Sequence, residues 1–440
     1  MGRKKRREPE TATIDSAAHD GRGIAAVEGK KVFVAGALPG ETVKFIRRKS
    51  KRNFDEAELL QIIEASDDRI DAKCEVFGRC GGCSLQHVSE EYQRSIKERT
   101  LRDNLQRIAK VEPESWLAPM IGPMWGYRRR ARLAVKDVSA KGRVLVGFRE
   151  KHAPYITDMH RCEVLASPVD DMLGELSELV AKLSIRARLP QIEIAVAENA
   201  IAMVFRVLDE PSDADKQHLI QFGVEKKCRI YLQPGGLDSL QLIEPESIKE
   251  PLNYTLPEFD IQIDFEPIDF VQVNSDINRR MVHFAIEQLA PGPDDRVLDL
   301  FCGIGNFSLP LARKAGSVLG IEGEKMLVTR AAENARKNGL YNVEFKVADL
   351  SKIDGSEPWL KAGCNRLLLD PARSGAAEVV EAMKLLNPER IVYISCHPGT
   401  LARDAAVLVH EHGYRLEAAG IIDMFPHTAH VESIAVFTRT

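Results

Sequence analysis

The sequence lacks any apolar run near the eighteen or so residues that a membrane-spanning helix needs, so no such helix is expected. It also lacks an apolar core behind its N-terminal charges. MGRKKRREPE carries five consecutive basic residues, Arg3 to Arg7, which is neither a secretory signal nor a transit peptide and predicts a cytoplasmic protein. No internal repeat is present, and neither charge is in large excess. The net charge is −4 over 440 residues, with 44% hydrophobic and 29% charged content. These values describe a soluble globular chain of two or three domains, and they do not by themselves announce a nucleic-acid binder.

The basic residues are nevertheless unevenly placed. They gather at Arg3 to Arg7, at Lys44 to Arg52 (KFIRRKSKR) and at Arg128 to Arg132 (RRRAR), all in the first third of the chain. One such cluster is ordinarily solvated surface, whereas three together favour contact with phosphate. Eight cysteines occur, and three of them share one loop: Cys74, then Cys80-Gly-Gly-Cys83. A cytoplasmic protein seldom spends cysteines on disulfides, so this grouping predicts a metal or cluster site. Zinc and iron–sulfur clusters both take four thiolates, which makes Cys162 the candidate fourth ligand; spacing alone does not separate the two. The CxxxCxxC spacing of radical enzymes is absent.

Three segments are expected. Residues 1–68 hold short alternating strands between turn residues and predict a small OB-like β-barrel whose basic strands grip RNA. Residues 69–265 predict an α+β domain, with a helix from SEEYQRSIKERTLRDNLQRIA and an antiparallel sheet from RARLAVKD, RVLVGFRE, QIEIAVAE and AIAMVFRV. Residues 266–440 alternate apolar strands (RVLDLF, SVLGIE, VEFKVAD, RLLLD, RIVYIS) with helical stretches, the pattern of a doubly wound, Rossmann-like α/β domain.

Ligands of such sheets sit at the carboxyl ends of the strands. There this chain places Asp299, the glycine loop Cys302-Gly303-Ile304-Gly305-Asn306, Glu322, Asp349 and Asp370-Pro371. The loop lacks the third glycine of a dinucleotide fingerprint. An acid about twenty residues after it can accept hydrogen bonds from both ribose hydroxyls, and Asp349 is placed to meet an adenine amino group. The order of these residues looks like that of a class I S-adenosylmethionine methyltransferase.

At the same sheet edge stands Ile394-Ser395-Cys396-His397-Pro398, and near the end FPHTAHVE presents two histidines and Glu432. A cysteine after a strand is ordinarily a packed small hydrophobe. A thiol beside a methyl donor has a chemical use, however. Carbon 5 of uracil is too weak a nucleophile to attack a sulfonium methyl until a thiolate has added at carbon 6, and a base must afterwards take the carbon 5 proton.

LDLFCGIGNFSLPLA, LLLDPAR, ISCHPGTLARD and FPHTAHVE resemble the RNA 5-methyluridine methyltransferase family. The resemblance implies Cys396 as nucleophile, Glu432 as base and Asp370 between cofactor and target base. It implies Gln272, Phe301, Gly303, Gly305, Asn306, Glu322, Asp349 and Asp370 around S-adenosyl-L-methionine. The family commonly has asparagine where His397 stands. DGRGIAAVEGKKVFVAGALPGETV is similar to a TRAM domain, and the cysteine spacing is similar to that of bacterial members acting on 23S ribosomal RNA. That similarity implies a 4Fe–4S cluster on Cys74, Cys80, Cys83 and Cys162. The expected partner is thus 23S ribosomal RNA, with no DNA, no membrane and a monomeric chain. The alternatives are a transfer-RNA uridine-5-methyltransferase and a catalytically silent RNA-binding or assembly protein.

Overall fold

The computed structural model describes residues 8–151, 153–243, 250–361 and 363–439, so the basic cluster Arg3 to Arg7 lies outside the described residues. The chain divides into two compact units. The first comprises Met1–Thr100, Arg149–Pro154 and Phe425–His430; the second comprises Leu101–Phe148, Tyr155–Met424 and Val431–Thr440. Among the described residues no helix is long and apolar enough to cross a membrane.

In the first unit six strands form one sheet: β1 (Glu10–Thr13), β2 (Ser16–Ala17), β3 (Gly23–Val27), β4 (Lys30–Ala35), β5 (Thr42–Ser50) and β6 (Phe54–Glu64), ordered β1-β5-β6-β4-β3-β2. Alternation sets its core. Val32 and Val34 of β4, Val43 and Phe45 of β5 and Ala57 of β6 point inward to meet Ile14 and Ala25. Register shifts between β5 and β6 mark bulges, which increase local twist and help a sheet to curl.

The basic strand is extensively ion-paired within its own sheet. It lies antiparallel to the acidic β6, and the charges pair across the sheet: Arg47 with Asp55 and Glu10, Arg48 with Glu58, and Lys49 and Lys51 with Glu56. Beyond β6 the cysteine segment folds in turns rather than strands, with Phe77 N donating to Cys74 O at 3.0 Å and Cys80 N to Val76 O at 2.9 Å. Helix α1 (Glu90–Asn104) begins in this unit. Its expected continuation to Ala109 is a π-turn, Leu105–Ala109, whose buried Leu105 and Ala109 join Leu101 in the core of the second unit.

The second unit begins, after that π-turn, with β7 (Ser115–Trp116), β8 (Arg130–Val138), β9 (Arg143–Gly147), α2 (Leu173–Lys182), β10 (Gln191–Val196), β11 (Ile201–Arg206), α3 (Asp213–Lys226), β12 (Cys228–Gln233) and β13 (Gln241–Leu242). Its first sheet is ordered β13-β12-β11-β10-β8-β9. It is antiparallel as expected except between β11 and β12, which run parallel because α3 carries the chain back between them. The RRRAR cluster is built into this sheet: Arg132 pairs with Glu193 at 3.0 Å, and Arg130 donates to Pro267 O at 3.0 Å.

A hairpin, β14 (Leu252–Leu256) and β15 (Ile261–Phe265), leads to the remaining elements: α4 (Ser275–Leu289), β16 (Arg296–Leu300), α5 (Ser308–Ala312), β17 (Ser317–Glu322), α6 (Lys325–Lys337), β18 (Val343–Val347), β19 (Arg366–Leu369), α7 (Ala377–Glu381), α8 (Met383–Leu386), β20 (Arg390–Ser395), α9 (Pro398–His410), β21 (Tyr414–Ile422) and β22 (Glu432–Arg439). The sheet runs β18-β17-β16-β19-β20-β22-β21-β7. It is parallel from β18 to β20, as the strand–helix alternation predicts. β22 then inserts antiparallel between β20 and β21. The central strands are buried on both faces, as in β20, where Ile391, Val392, Tyr393 and Ile394 are all inaccessible.

One ion pair closes the first unit's sheet. Glu41, fully buried, accepts from Arg69 at 2.5 and 2.8 Å and from Leu38 N at 2.8 Å. Glu41→Ala leaves that guanidinium without its partner and is expected to cost about 3–5 kcal/mol. Hydrogen exchange should accelerate throughout residues 10–64 while β16 keeps its protection. Unchanged exchange across residues 10–64 would show that the pair does not hold the sheet.

Candidate active site

The glycine loop begins where β16 ends. Phe301 takes the left-handed region (φ 65°), a conformation that costs a side-chain-bearing residue roughly 1–2 kcal/mol, and Gly303 and Gly305 follow with φ 54° and 94°. A Cβ built on Gly303 would meet nothing within 4 Å, so the loop borders open space. Its amide donates to Glu322 Oε2 at 3.2 Å, while Glu322 Oε1 accepts from Gly323 N at 2.7 Å. The carboxylate at the end of β17 is therefore held against the loop.

Asp299, fully buried in β16, accepts from the Ser308 hydroxyl at the start of α5. Burial pushes its carboxyl up to about 7, with Asp370 and Glu322 adding to the effect. Asn306, next in the loop, is held by side chains from two other elements. Its amide forms a reciprocal pair with Asn278 of α4 at 2.9 and 3.0 Å, and its Oδ1 also accepts from Tyr254 OH at 2.9 Å. It anchors the loop. Asn278 and Tyr254 carry no sequence motif, which is why they were not foreseen. Gln272 is half-buried just before the Asn274 cap of α4. Asp349 is exposed past β18, where Ser351 and Lys352 hold its carboxyl down at about 2. These residues suit an adenosyl ligand: an open glycine cradle flanked by an acceptor at the end of the second strand.

The candidate nucleophile and base come together by register. β20 and β22 pair antiparallel through Ser395 and Ser433, so Cys396, one residue on, stands opposite Glu432, one residue back. Cys396 is half-buried and Glu432 buried. Burial pushes the Cys396 thiol up to about 11; Glu432 and Asp370 act in the same direction and Arg373 opposes them. Burial also raises Glu432 well above the ordinary carboxylate value, with Asp370 contributing. Asp370 itself is pushed up to about 7 by burial of its carboxyl. Three acidic groups thus share one poorly solvated site, and Arg373 opposes the rise at Cys396.

His397 is a helix cap. Its Nδ1 accepts from Thr400 N at 3.2 Å at the start of α9, a task that asparagine performs equally well. Asp404 of α9 accepts from Tyr393 OH at 2.6 Å and Ala376 N at 2.8 Å, which ties the segment after Asp370 to α9 and β20.

Residues 93–440 match the family model described as tRNA (Uracil-5-)-methyltransferase, and residues 3–60 match the TRAM domain. The chain belongs to this methyltransferase family. A 23S rRNA (uracil(1939)-C(5))-methyltransferase RlmD of Methylococcus capsulatus is 51% identical over 98% of this chain and 97% of that protein. The protein of the same name from Alkalilimnicola ehrlichii is 50% identical over 100% of this chain and 99% of its own. Among solved structures, the Pyrococcus abyssi tRNA (uracil-54, C5)-methyltransferase in complex with S-adenosyl-L-homocysteine has the same fold. It is 23% identical with a TM-score of 0.74, over 98% of this chain and 100% of that one.

As a uracil-5-methyltransferase family member, the chain has its glycine loop, Glu322, Asp370, Cys396 and Glu432 in one unit. FPHTAHVE is divided. Phe425–His430 belongs to the first unit, where His427 N donates to Gln93 Oε1 at 2.8 Å and His427 O accepts from Ser84 N and Leu85 N. Cys74, Cys80 and Cys83 lie in the first unit, and Cys162 is buried in the second. Among the described residues, no group of three or more His, Cys, Asp or Glu is arranged so as to hold a metal ion.

A thiol near 11 is almost wholly protonated at neutral pH, and its thiolate fraction rises tenfold per pH unit below that value. Alkylation of Cys396 by iodoacetamide, followed by peptide-resolved mass spectrometry, should therefore climb about tenfold per unit from pH 7 to pH 9 without levelling. A plateau below pH 8 would show that the thiol is not raised.

Proposed function

We propose that this protein methylates carbon 5 of a uridine in 23S ribosomal RNA, with Cys396 as nucleophile and Glu432 as base. The observation that carries this reading is the β20–β22 register, which sets a thiol opposite a buried carboxylate at the end of the sheet that also bears the glycine loop. The full-length relatives bearing the 23S name, TRAM segment included, favour that RNA over transfer RNA.

The chemistry follows from the groups present. The Cys396 thiol gives its proton to solvent and, as the thiolate, adds to carbon 6, placing negative charge on carbon 5 and the carbon 4 oxygen. S-adenosylmethionine, when bound at the glycine loop beside Glu322, supplies a methyl group on a sulfonium. Glu432 then removes the carbon 5 proton; the electron pair re-forms the carbon 5–carbon 6 double bond, and the Cys396 sulfur departs. A carboxylate with raised proton affinity suits that task. Asp370 sits between the cofactor and the target base, and Gln272, Phe301, Gly303, Gly305, Asn306 and Asp349 complete the cofactor surroundings.

The three segments divide the work: residues 1–68 bind RNA, 69–265 carry the cysteine cluster, and 266–440 perform the transfer. Cys74, Cys80, Cys83 and Cys162 are the ligands of a 4Fe–4S cluster. Thiols are the chemistry such a cluster takes, and in that role these four would hold it through their thiolates. The cluster has no place in the methylation steps. The protein acts as a cytoplasmic monomer on RNA and not on DNA.

Glu432→Gln keeps the side chain's shape and removes the base. Attack and methyl transfer should continue while elimination slows by roughly 10²–10⁴-fold. A methylated protein–RNA adduct should then accumulate with 23S ribosomal RNA and not with transfer RNA, as a shifted band on a denaturing gel. Cys396→Ala should give none. A folded Glu432→Gln protein with normal turnover would end the two-residue mechanism, trapping by transfer RNA alone would reassign the substrate, and no methylation of either RNA by the wild type would leave the silent-binder reading.

Protein purified without oxygen should be brown, with about four irons per chain, and Cys162→Ser should bleach it. Stoichiometric zinc and no visible absorbance would overturn the iron–sulfur assignment.

A further inference from the structure

The outward face of the first unit's sheet carries two aromatic rings among its paired charges. Strand alternation turns Val32 and Val34 of β4 inward and Phe33 outward; on β6 it turns Asp55 and Ala57 inward and Phe54 outward. β4 and β6 are parallel neighbours, with Lys31 beside Phe54 and Phe33 beside Glu56. The two half-buried rings consequently meet edge to face, with centroids 5.3 Å apart and planes at 70°. A cation caps each ring: the Arg22 guanidinium lies 4.8 Å from the Phe33 centroid, and Lys51 Nζ lies 5.0 Å from that of Phe54. The row runs Arg22, Phe33, Phe54, Lys51.

Charge on this face is mixed with a positive surplus. Lys31 and Lys49 are exposed beside the row. Against these four cations stand Asp20, which pairs with Arg22 at 2.7 Å, and Glu56, which Lys49 and Lys51 approach at 3.5 and 3.7 Å. A β-sheet face that offers two aromatic rings between cations is the arrangement that stacks unpaired bases while steering phosphates along the sides. A base-paired duplex, whose bases are already stacked, cannot use the rings.

We propose that Phe33 and Phe54, flanked by Arg22 and Lys51, form a stacking platform for unpaired bases of single-stranded RNA, and that this platform rather than the basic strand β5 is the RNA contact of the first unit. The proposal rests on the reading of the protein as an RNA methyltransferase and names the surface by which its RNA is held.

The test uses the full-length protein and two probes: a fluorescent oligouridine with no target context, and a 23S ribosomal RNA fragment containing the target uridine. Phe33→Ala and Phe54→Ala should each weaken oligouridine binding by at least about fivefold, the lower end of the range for one stacked base, and the double variant more. The slope of affinity against salt should not change, because no phosphate contact is lost. Lys51→Gln should lower that slope instead. S-adenosylhomocysteine affinity should be unaffected in every variant. The double Phe→Tyr variant keeps both rings and should bind within twofold of wild type, which separates stacking from packing.

Phenylalanine-to-alanine variants that bind oligouridine as the wild type does would overturn the platform. So would tyrosine variants as weak as the alanine ones, since the rings would then act only within the sheet, and so would duplex RNA held as tightly as oligouridine. If wild type binds oligouridine through the rings yet does not methylate the 23S fragment, the platform stands and the substrate reading falls.

Discussion

The proposed pairing of Cys396 with Glu432 depends on one strand register. β22 enters the sheet antiparallel between β20 and β21, and its register with β20 matches Ser395 to Ser433. Side chains alternate along a strand, so a slip of one residue would carry Glu432 out of line with Cys396 and reverse every inward position of β22. The burial of Ser433, Ile434, Ala435, Val436 and Phe437 makes that slip costly, because apolar side chains on both faces already fill their places. The precision of the site is thus a consequence of a core strand, whereas a loop would have left the two groups free to drift apart.

The same burial that fixes the geometry also tunes the acids. Cys396, Glu432 and Asp370 are each raised by loss of water, and Asp370 adds its charge to the other two. A resting thiol resists oxidation and stray alkylation better than a thiolate does. Among the charges acting on Cys396, Arg373 is the one that favours the thiolate. Asp404 keeps that segment in place by accepting from Ala376 N and Tyr393 OH at once, so one carboxylate fixes α9, β20 and the chain after Asp370 together.

Much of this was legible in the sequence, and the reasons differ by element. Five parallel strands were readable because buried strands are continuous apolar runs, and the glycine loop because its turn conformations need specific residues. Glu432 and Cys396 were readable as chemistry, but their juxtaposition was not, since β21 was not foreseen and strand insertion leaves no local trace. The resemblance places Asn306 beside the cofactor, but its partners Asn278 and Tyr254, remote in sequence, become visible only in the fold. His397 was an unexplained departure from asparagine until its bond to Thr400 N gave both residues one task.

The basic clusters are the element whose partners the sequence does not display. KFIRRKSKR reads as a phosphate grip because a linear sequence displays each charge without its cross-strand partner. β5 lies against FDEAELLQIIE, and antiparallel pairing brings Arg47, Arg48 and Lys49 to Asp55, Glu58 and Glu56. Opposite charges across a sheet are mildly stabilising, and a phosphate would have to compete with carboxylates already in place. Phe33 and Phe54, single aromatics within two unremarkable strands, gain meaning only from the parallel register that sets their rings 5.3 Å apart. Charge density along a chain therefore reports how a sheet is held together as readily as what it binds. The distinction requires the pairing, which in this sheet assigns the arginines of β5 to structure and leaves the rings of β4 and β6 facing outward.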